Sequence, residues 1–409
     1  MPEAGAATPQ MLRRVNARAV LKAIRSIDVA TGTELMARTG LTRATVIAVC
    51  EDLIRRGWIL ERDPLQDSAP RQGRPARRFE LNSRAGFVMG MDIGAATVTA
   101  AVADLRGNVV GRSSLPFRTT DIPASERIST VDRAAGLALH AAGATPGIVL
   151  ALGAGIAAPV DRDGKVLAAQ HFWSLFDVGL RAALKDLHGW TVLLENDANL
   201  AALGECWRGS GSGVDDLVVL LASERLGAGI IESGRLLHGS RGAAGEMGYL
   251  DLLEGVGSAD GIAKLAREWF AAAAVPAPGP ARGRPAAASR APLTARQVFD
   301  AAARGDRTAV VILDRLSERM ARIIASLASL VNPEQVVIGG AVAESAAALL
   351  PRIIELLPRF TATPPRVTAS PLGDAIVTAG AIRHALDYVE ANSLDLVLPT
   401  PYSGMITTA

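Results

Sequence analysis

The sequence predicts two parts of different fold class: a small N-terminal winged helix-turn-helix of α+β type, and a larger α/β part made of two lobes. Within residues 11–56 the apolar residues recur every three or four positions, which is the spacing of amphipathic helices, and two strand-like runs follow. From about residue 85 onward, apolar runs end in glycine-rich turns and alternate with helical patterns, as is typical of α/β domains. A chain of 409 residues is also longer than one core usually holds.

The charge of the chain is unevenly distributed. Residues 1–82 contain 14 Lys and Arg residues and 9 Asp and Glu residues, a net charge of +5, which leaves −3 for the rest of a chain whose total is +2. A basic front end favours binding to a polyanion, although scattered surface charges would give the same count.

Cysteine usage and hydropathy indicate a cytoplasmic protein. The two cysteines, Cys50 and Cys206, lie far apart in sequence and offer no disulfide framework. No uninterrupted run of about 18 apolar residues predicts a membrane span, and the first residues lack the apolar region of a signal peptide. We therefore expect no association with a membrane.

Residues 9–82 are predicted to form the winged helix-turn-helix. An amphipathic helix over residues 11–27 precedes a short second helix that ends at Gly40, because glycine readily takes the left-handed conformation of a helix end. Thr42 is the predicted cap of a third helix. The apolar residues expected on the inward face of that helix include Val46, Val49 and Leu53.

The third helix carries the candidate contacts to base edges. A helix-turn-helix places the first side chains of this helix in the major groove of DNA. In this chain those residues are Thr42, Arg43, Ala44 and Thr45. A plain three-helix bundle with solvated Arg and Thr side chains is the alternative interpretation.

Two strands are predicted directly after the third helix, over residues 58–62 and 77–82, with a polar loop between them. A hairpin in this position forms a wing. An arginine held between glycine and proline suits a narrow minor groove, where the negative potential is enhanced. The candidate DNA contacts at the wing tip are Arg71, Gly73, Arg74 and Pro75.

The larger part opens with an apolar strand that ends in an Asp-x-Gly turn at Asp92 and Gly94. This opening is similar to that of the actin-like and sugar-kinase fold, in which the carboxylate helps to hold magnesium and the turn backbone approaches phosphates. Later motifs follow in order: Glu-Asn-Asp-Ala-Asn at residues 195–199, a glycine-rich turn before residue 230, Ala-Gly-Glu-x-Gly at residues 244–248, and Asn-Pro-Glu followed by Ile-Gly-Gly at residues 332–340.

Taken together and in this order, the motifs resemble the ROK family of sugar kinases and sugar-responsive repressors, and in particular xylose-repressor-type members that lack the zinc motif. The resemblance spans nearly the whole chain. We expect one sensor lobe at residues 85–200 and a second at residues 201–390. The second lobe carries an insertion rich in Ala, Pro and Gly at residues 271–293, expected to be flexible, and residues 391–409 form a tail.

The resemblance implies a sugar-binding site. In the family's kinases the aspartate of Glu-Asn-Asp takes the proton from the sugar hydroxyl, and Asp197 matches it. The same carboxylate can bind sugar hydroxyls without any chemistry. For His171 and Asp260 the alternatives are a structural histidine and a helix-capping aspartate. The candidate sugar-binding residues are Gln170, His171, Asn196, Asp197, Glu246, Tyr249 and Asp260.

The chain departs from the family's zinc site. Tyr249 stands where the family has a histidine, and the loop that follows contains no cysteine. A zinc site of thiolates and imidazole cannot form from these residues. We therefore predict no metal and no cofactor.

The phosphate-binding turns also depart from the family pattern. Phosphate cradles need free backbone amides and glycine dihedrals. The first turn has Ala-Ala-Thr where the kinases have Gly-Thr, and a carboxylate at Glu224 in the second would repel a polyphosphate, which Arg225 could partly offset. We expect kinase activity to be lost. The residues of this degenerate nucleotide site are Asp92, Gly94, Thr97, Gly227, Gly229, Gly339 and Gly340.

The sequence thus predicts a sugar-responsive, DNA-binding transcription regulator, a homodimer or a tetramer, with operator DNA as its partner. A monosaccharide or sugar phosphate in the kinase-like cleft would shift operator affinity. Repression relieved by the ligand is the default, and activation is equally compatible with the residues. One alternative is an active ATP-dependent sugar kinase that carries a DNA-binding domain. Another is a DNA-binding scaffold that responds to no ligand.

Overall fold

The computed structural model describes residues 8–62, 76–248, 250–273 and 293–399. The chain forms two compact units. Unit 1 contains Met1–Ala154, Val178–Leu194 and Ala381–Ala409, and unit 2 contains Gly155–Asp177 and Glu195–Gly380. Among the described residues, no helix is both long enough and apolar enough to cross a membrane.

Residues 9–82, here called the N-terminal module, belong to unit 1. The three helices and two strands predicted for this segment are all present, together with a two-residue strand that no pattern indicated. The three strands form an antiparallel sheet in the order β1-β3-β2. The elements are α1 (Pro9–Arg25), β1 (Ala30–Thr31), α2 (Gly32–Thr39), α3 (Arg43–Arg55), β2 (Ile59–Arg62) and β3 (Arg78–Leu81).

Local side-chain chemistry fixes the turn between α2 and α3. Thr31 caps α2 in a capping box with Glu34, in which each side chain accepts a hydrogen bond from the backbone of the other. Gly40 ends α2 with φ 69°, in the left-handed region that glycine adopts without strain. The hydroxyl oxygen of Thr42 accepts a hydrogen bond from the amide of Thr45, 3.3 Å away, so α3 starts where the sequence predicts.

The inward face of α3 differs from the expected one by a single residue. Val46, Cys50 and Leu53 are buried, whereas Val49 is only partly buried. Positions four and then three apart lie on one side of a helix, which selects Cys50 over its neighbour. Burial raises the pKa of the Cys50 thiol to about 12, so it is a core residue and not a reactive one.

The first large sheet follows the N-terminal module. Its five strands have the order β6-β5-β4-β7-β8, in which β4, β5 and β6 pair as antiparallel neighbours. The elements are β4 (Phe87–Ile93), β5 (Thr97–Asp104), β6 (Val109–Pro116), α4 (Ala124–Ala141), β7 (Val149–Ile156), α5 (His171–Ser174), α6 (Leu180–His188) and β8 (Val192–Asn196).

The second large sheet repeats that order of strands as β11-β10-β9-β12-β13. The pair β9 and β10 is antiparallel, whereas β12 runs parallel to both β9 and β13. The elements are α7 (Asp197–Arg208), β9 (Leu217–Leu221), β10 (Gly227–Glu232), β11 (Arg235–Leu236), α8 (Ile262–Ala273), α9 (Ala295–Ala303), α10 (Arg307–Val331), β12 (Gln335–Gly339), α11 (Ala343–Ala346), α12 (Leu350–Leu356), β13 (Arg366–Ala369) and α13 (Ile376–Ala391).

The compact units do not follow the expected lobes at residues 85–200 and 201–390. Strands β7 and β8 and helix α13 each begin in one unit and end in the other, so no single cut in the sequence separates the units. The N-terminal module also clusters with the first sheet instead of standing apart. Of the expected insertion, residues 271–273 are the end of α8 and residues 274–292 lie outside the described residues.

The expected tail at residues 391–409 is ordered by contacts where the structure describes it. The indole N–H of Trp58 donates to the carbonyl of Ser393 at 2.9 Å, and Arg56 donates to the carbonyl of Leu394 at 2.8 Å. Arg14 forms an ion pair with Asp395 at 2.8 Å. The chain after α13 therefore packs on the N-terminal module.

Candidate functional site

The turn before α7 is organised around the buried carboxylate of Glu195. One of its oxygens accepts hydrogen bonds from the amide of Asn196 (2.8 Å) and the side chain of Asn199 (2.9 Å). The other oxygen pairs with the ring of His238 at 2.9 Å. This hydrogen bond raises the pKa of His238 above its ordinary value. Sequence reasoning missed His238, because 43 residues separate it from Glu195 and no motif surrounds it.

Asn196 is first of all a helix cap. Its side-chain oxygen accepts from the amide of Asn199 at 3.1 Å, and its side-chain nitrogen donates to the carbonyl of Ala158 at 3.2 Å. Because the side-chain amide already makes these two hydrogen bonds, it has fewer donors and acceptors left for sugar hydroxyls than we expected. Asp197 is the first residue of α7 and is partly exposed, with one carboxylate oxygen accepting from the amide of Ala198 at 2.8 Å.

Glu246 lies in a partly buried position beside Arg225. Burial raises the pKa of Glu246 to about 7, and the positive charge of Arg225 offsets only part of that effect. The guanidinium of Arg225 lies over the ring of Phe172, 4.6 Å from its centroid. A carboxyl that titrates near neutral pH can donate a hydrogen bond to a hydroxyl as an acid or accept one as a carboxylate.

Asp260 is held by two side chains close to it in sequence. Its oxygens accept from the Ser258 hydroxyl at 2.7 Å and from the Lys264 ammonium at 2.8 Å. Burial opposes ionisation, but these two bonds and the charge of Arg225 outweigh it and hold the pKa of Asp260 below its ordinary value. Asp260 is therefore a paired carboxylate rather than a free one.

The structure gives less information about the other three predicted sugar contacts. Gln170 immediately precedes α5 and approaches Gly248, where an added Cβ would lie 3.5 Å from the Gln170 side-chain nitrogen. His171 is exposed at the start of α5. Tyr249 lies outside the described residues.

Contacts within unit 2 bring the three acidic candidates onto neighbouring segments. Gly227 forms a β-bridge with Glu246, and Arg225 forms one with Asp260. A Cβ added to Gly227 would lie 3.4 Å from the Cβ of Ala198, the residue after Asp197. The start of β10 thus lies between the start of α7 and the Ala-Gly-Glu-x-Gly turn.

In the second glycine-rich turn, before β10, the charges are paired differently from what the sequence predicts. The carboxylate of Glu224 is paired with both terminal nitrogens of Arg267, at 2.8 and 2.7 Å. Arg225, which was expected to offset that charge, instead lies over Phe172. Because a bidentate arginine already balances Glu224, repulsion of a polyphosphate by this carboxylate is weaker than the sequence indicates.

Several glycines that the sequence assigns to a degenerate nucleotide site have structural roles. The amide of Gly94 donates to the carbonyl of Thr97 at 2.9 Å, so it is engaged within its own turn. A Cβ at Gly229 would lie 2.0 Å from the carbonyl oxygen of Ala198, so β10 and α7 could not approach. Gly340 has φ 96°, where a side chain would be strained. Asp92, Gly94 and Thr97 belong to unit 1. The other four residues belong to unit 2, three in strands of the second sheet and one directly after β12: Gly227, Gly229, Gly339 and Gly340.

The candidate base contacts lie together at the start of α3. Thr42, Arg43 and Ala44 are exposed, and Thr45 is partly exposed and bonded to Thr42 through its hydroxyl. The residues predicted for the wing tip, Arg71, Gly73, Arg74 and Pro75, lie outside the described residues. Next to β3, Arg77 pairs with Glu61 at 2.7 Å and with Glu51 at 3.0 Å, which ties the strand pair β2 and β3 to α3.

A sequence model of the ROK family matches residues 88–387, well over half of the chain. The chain belongs to the ROK family. Its relatives include a glucokinase from Halalkalibacterium halodurans, 31% identical over 64% of this chain and 83% of the kinase. They also include a xylose repressor from Caldicellulosiruptor bescii, 26% identical over 80% of this chain and 84% of the repressor.

The solved structures agree with the sugar-kinase-like α/β fold. A ROK family transcriptional regulator, described as a homologue of the Escherichia coli Mlc protein, superposes with a TM-score of 0.75 at 23% identity, over 95% of this chain and 99% of that one. Within the described part of this ROK chain, no group of three or more His, Cys, Asp or Glu side chains is arranged to hold a metal ion.

Proposed function

We propose that this ROK protein is a sugar-responsive DNA-binding transcription regulator, with repression as its default action, located in the cytoplasm and acting as a homodimer. The observation that supports this most is the superposition on a ROK family transcriptional regulator, which covers 95% of this chain and therefore includes most of the N-terminal module. The match to the xylose repressor covers 80% of the chain. The basic N-terminal module supplies a surface for DNA.

The N-terminal module would act as a winged helix-turn-helix on operator DNA. Its α3 would enter the major groove with Thr42, Arg43, Ala44 and Thr45, since a recognition helix reads bases with its first residues. Arg43 is exposed there, free to extend to a guanine edge. The wing would place Arg74 in the adjacent minor groove.

Unit 2 would bind the effector, a monosaccharide or a sugar phosphate. Asp197 and Glu246 lie on neighbouring segments and carry the acceptors and donors that vicinal hydroxyls need. Asn196 and Asp260 already have protein partners, so we assign them to the support of the site. Kinase activity would be absent, because the first phosphate-type turn has Ala95 and Ala96 where the kinases have Gly-Thr, and the amide of Gly94 is used within that turn.

Helix α13 offers a route by which the effector would alter DNA binding. In unit 2 its Gly380 packs so closely on α7 that an added Cβ would lie 1.7 Å from the carbonyl oxygen of Leu200. In unit 1 its Glu390 pairs with Arg25 of the N-terminal module at 3.0 Å. A ligand that favours one position of α7 would therefore bias the N-terminal module through one continuous helix.

The test is a thermal-shift panel of monosaccharides and sugar phosphates, followed by operator-binding measurements with and without the best ligand. A regulator gives a ligand that raises the melting temperature and changes operator affinity at fixed salt. An operator complex that no ligand of the panel affects would favour the ligand-independent scaffold.

The glucokinase relative, 31% identical, favours a second candidate: an active ATP-dependent sugar kinase that carries a DNA-binding domain. Asp197 would then be the general base. A coupled assay with ATP and the same sugars separates the two. Turnover that Asp197→Asn abolishes would establish the kinase and overturn the proposal of an inactive sensor.

A further inference from the structure

Unit 2 contains a concave site beside α10. It is a cavity of about 540 Å³, large enough for a small metabolite. One wall is the loop of residues 255–258, another is α8 with Trp269, and the third is the face of α10 that carries Arg315, Arg319 and Arg322. None of the candidate sugar-binding residues that the structure describes lines this cavity.

Arg319 is the central residue of the cavity wall. Its side chain is 3% exposed, and it donates to the carbonyls of Val256 (2.7 Å) and Ser258 (2.5 Å). The third nitrogen of its guanidinium, Nη1, is buried and has no hydrogen-bond partner among the described residues. Burial lowers the pKa of Arg319 to about 10, which reflects the cost of a cation whose partners are neutral carbonyls.

The two flanking arginines add further positive charge at the cavity. Residues 315, 319 and 322 follow the spacing of one helix face, and all three arginine side chains line the cavity. Arg315 lies over the ring of Trp269, 3.9 Å from its centroid. Arg322 pairs with Glu318 at 2.9 Å. Of the described residues that line the cavity, Glu318 is the one carboxylate, so the three arginines are only partly neutralised.

We propose that this cavity binds the phosphate group of a small phosphorylated metabolite, at a site separate from the proposed sugar site. The buried guanidinium of Arg319 is hydrogen-bonded to neutral carbonyls, and the charge of nearby Asp260 offsets only part of the cost of burial. A bound anion would offset more of that free-energy cost. Phosphate suits the site better than a carboxylate, because its three terminal oxygens can accept from more than one guanidinium at once. The protein would then sense two ligand chemistries, a carbohydrate and a phosphate, in one unit.

Isothermal titration of the full chain at constant ionic strength tests this, with inorganic phosphate, a hexose 6-phosphate and the free hexose as probes. The key variants are Arg315→Gln and Arg322→Gln, because both side chains are at least partly exposed and their loss should leave the fold intact. Each should weaken phosphate binding about tenfold, the effect of losing one charge-assisted hydrogen bond. Arg319→Gln should remove binding, with circular dichroism as the check on folding.

The matched control is Arg352→Gln, which removes an arginine paired with Asp314 and Glu355 outside the cavity. Affinity for inorganic phosphate should be unchanged in this variant and in Asp197→Asn, so a failure of the sugar site remains distinguishable. If the hexose phosphate binds more tightly than inorganic phosphate and its binding still depends on Arg322, the ligand of the cavity is a phosphorylated metabolite. If the two affinities are equal, the ligand is free phosphate. No saturable phosphate binding, or binding that the Arg315 and Arg322 variants retain, overturns the proposal.

Discussion

Trp58 and Ser393 are 335 residues apart in sequence and are joined by a buried hydrogen bond of 2.9 Å from the indole N–H to the backbone carbonyl. Trp58 follows α3 of the N-terminal module, and Ser393 follows α13. The bond therefore fixes the segment after the last helix against the module that we propose binds DNA.

Replacement of Trp58 by Phe keeps an aromatic ring in the core but removes the donor. We expect a loss of roughly 1–3 kcal/mol in the stability of unit 1, because the carbonyl of Ser393 would stay buried without a partner. Thermal unfolding measures the loss, and limited proteolysis should cut after α13 more rapidly. Trp207→Phe in α7 is the control for the ring change. Equal proteolysis of the two variants would show that the hydrogen bond does not hold the segment.

Gly380→Ala tests the close approach of α13 to α7. Helix propensity alone favours alanine by about 1 kcal/mol, but an added Cβ would lie 1.7 Å from the carbonyl oxygen of Leu200. We expect the clash to dominate and to cost roughly 1–3 kcal/mol or more. Gly136→Ala is the matched control, because this exposed glycine of α4 has nothing within 4 Å of the new Cβ. Gly136→Ala should be neutral or stabilising, and a similar result for Gly380→Ala would contradict the packing.

Much of the local structure could be predicted from the sequence. The N-terminal helices are set by short-range signals, such as the Thr42 cap and the Gly40 stop, so their bounds agree with prediction to within about two residues. The sequence did not predict that Cys50, and not Val49, is buried on the inward face of α3. Both residues fit the apolar pattern of the helix, and only tertiary packing decides which one is buried.

Sequence patterns did not predict the hydrogen bonds and ion pairs between residues that are far apart in the chain. The bond between Trp58 and Ser393 and the ion pair between Glu224 and Arg267 join residues on different elements. Three arginines on α10 have the spacing of a solvated helix face, so nothing in the sequence indicated that Arg319 is buried. The proposed sugar site was predicted from sequence motifs. The Glu-Asn-Asp-Ala-Asn motif did not indicate that Asn196 acts as a helix cap.

Glu246 predicts a pH dependence of stability. Its pKa is raised to about 7 in the folded chain because burial penalises the carboxylate. A raised pKa means that the folded state holds its proton more tightly than the unfolded state, so this contribution is complete below the ordinary pKa and is lost as the pH rises through about 7. Glutamine mimics the protonated acid and cannot ionise.

We therefore expect Glu246→Gln to match the wild type in melting temperature at about pH 5 and to exceed it at about pH 8. Glu344→Gln is the control, because that carboxylate has an exposed side chain and should give no such trend. A difference between Glu246→Gln and the wild type that does not grow with pH would show that Glu246 is already ionised in the folded protein, held by Arg225.

Arg43→Ala tests the proposed DNA contact at the start of α3. If the Arg43 guanidinium binds a base edge, its loss should cost about 1–3 kcal/mol of operator binding and relax the preference at one base pair. Arg74→Ala should also weaken binding, but through the minor groove, so its effect should depend on groove width and not on one base. Arg304→Ala, an exposed arginine after α9, is the control for the loss of one positive charge. Quantitative titrations with an operator and its single-base variants at fixed salt give all three results. If Arg43→Ala and Arg304→Ala behave alike, α3 does not read the major groove and the docking proposed for this module is wrong.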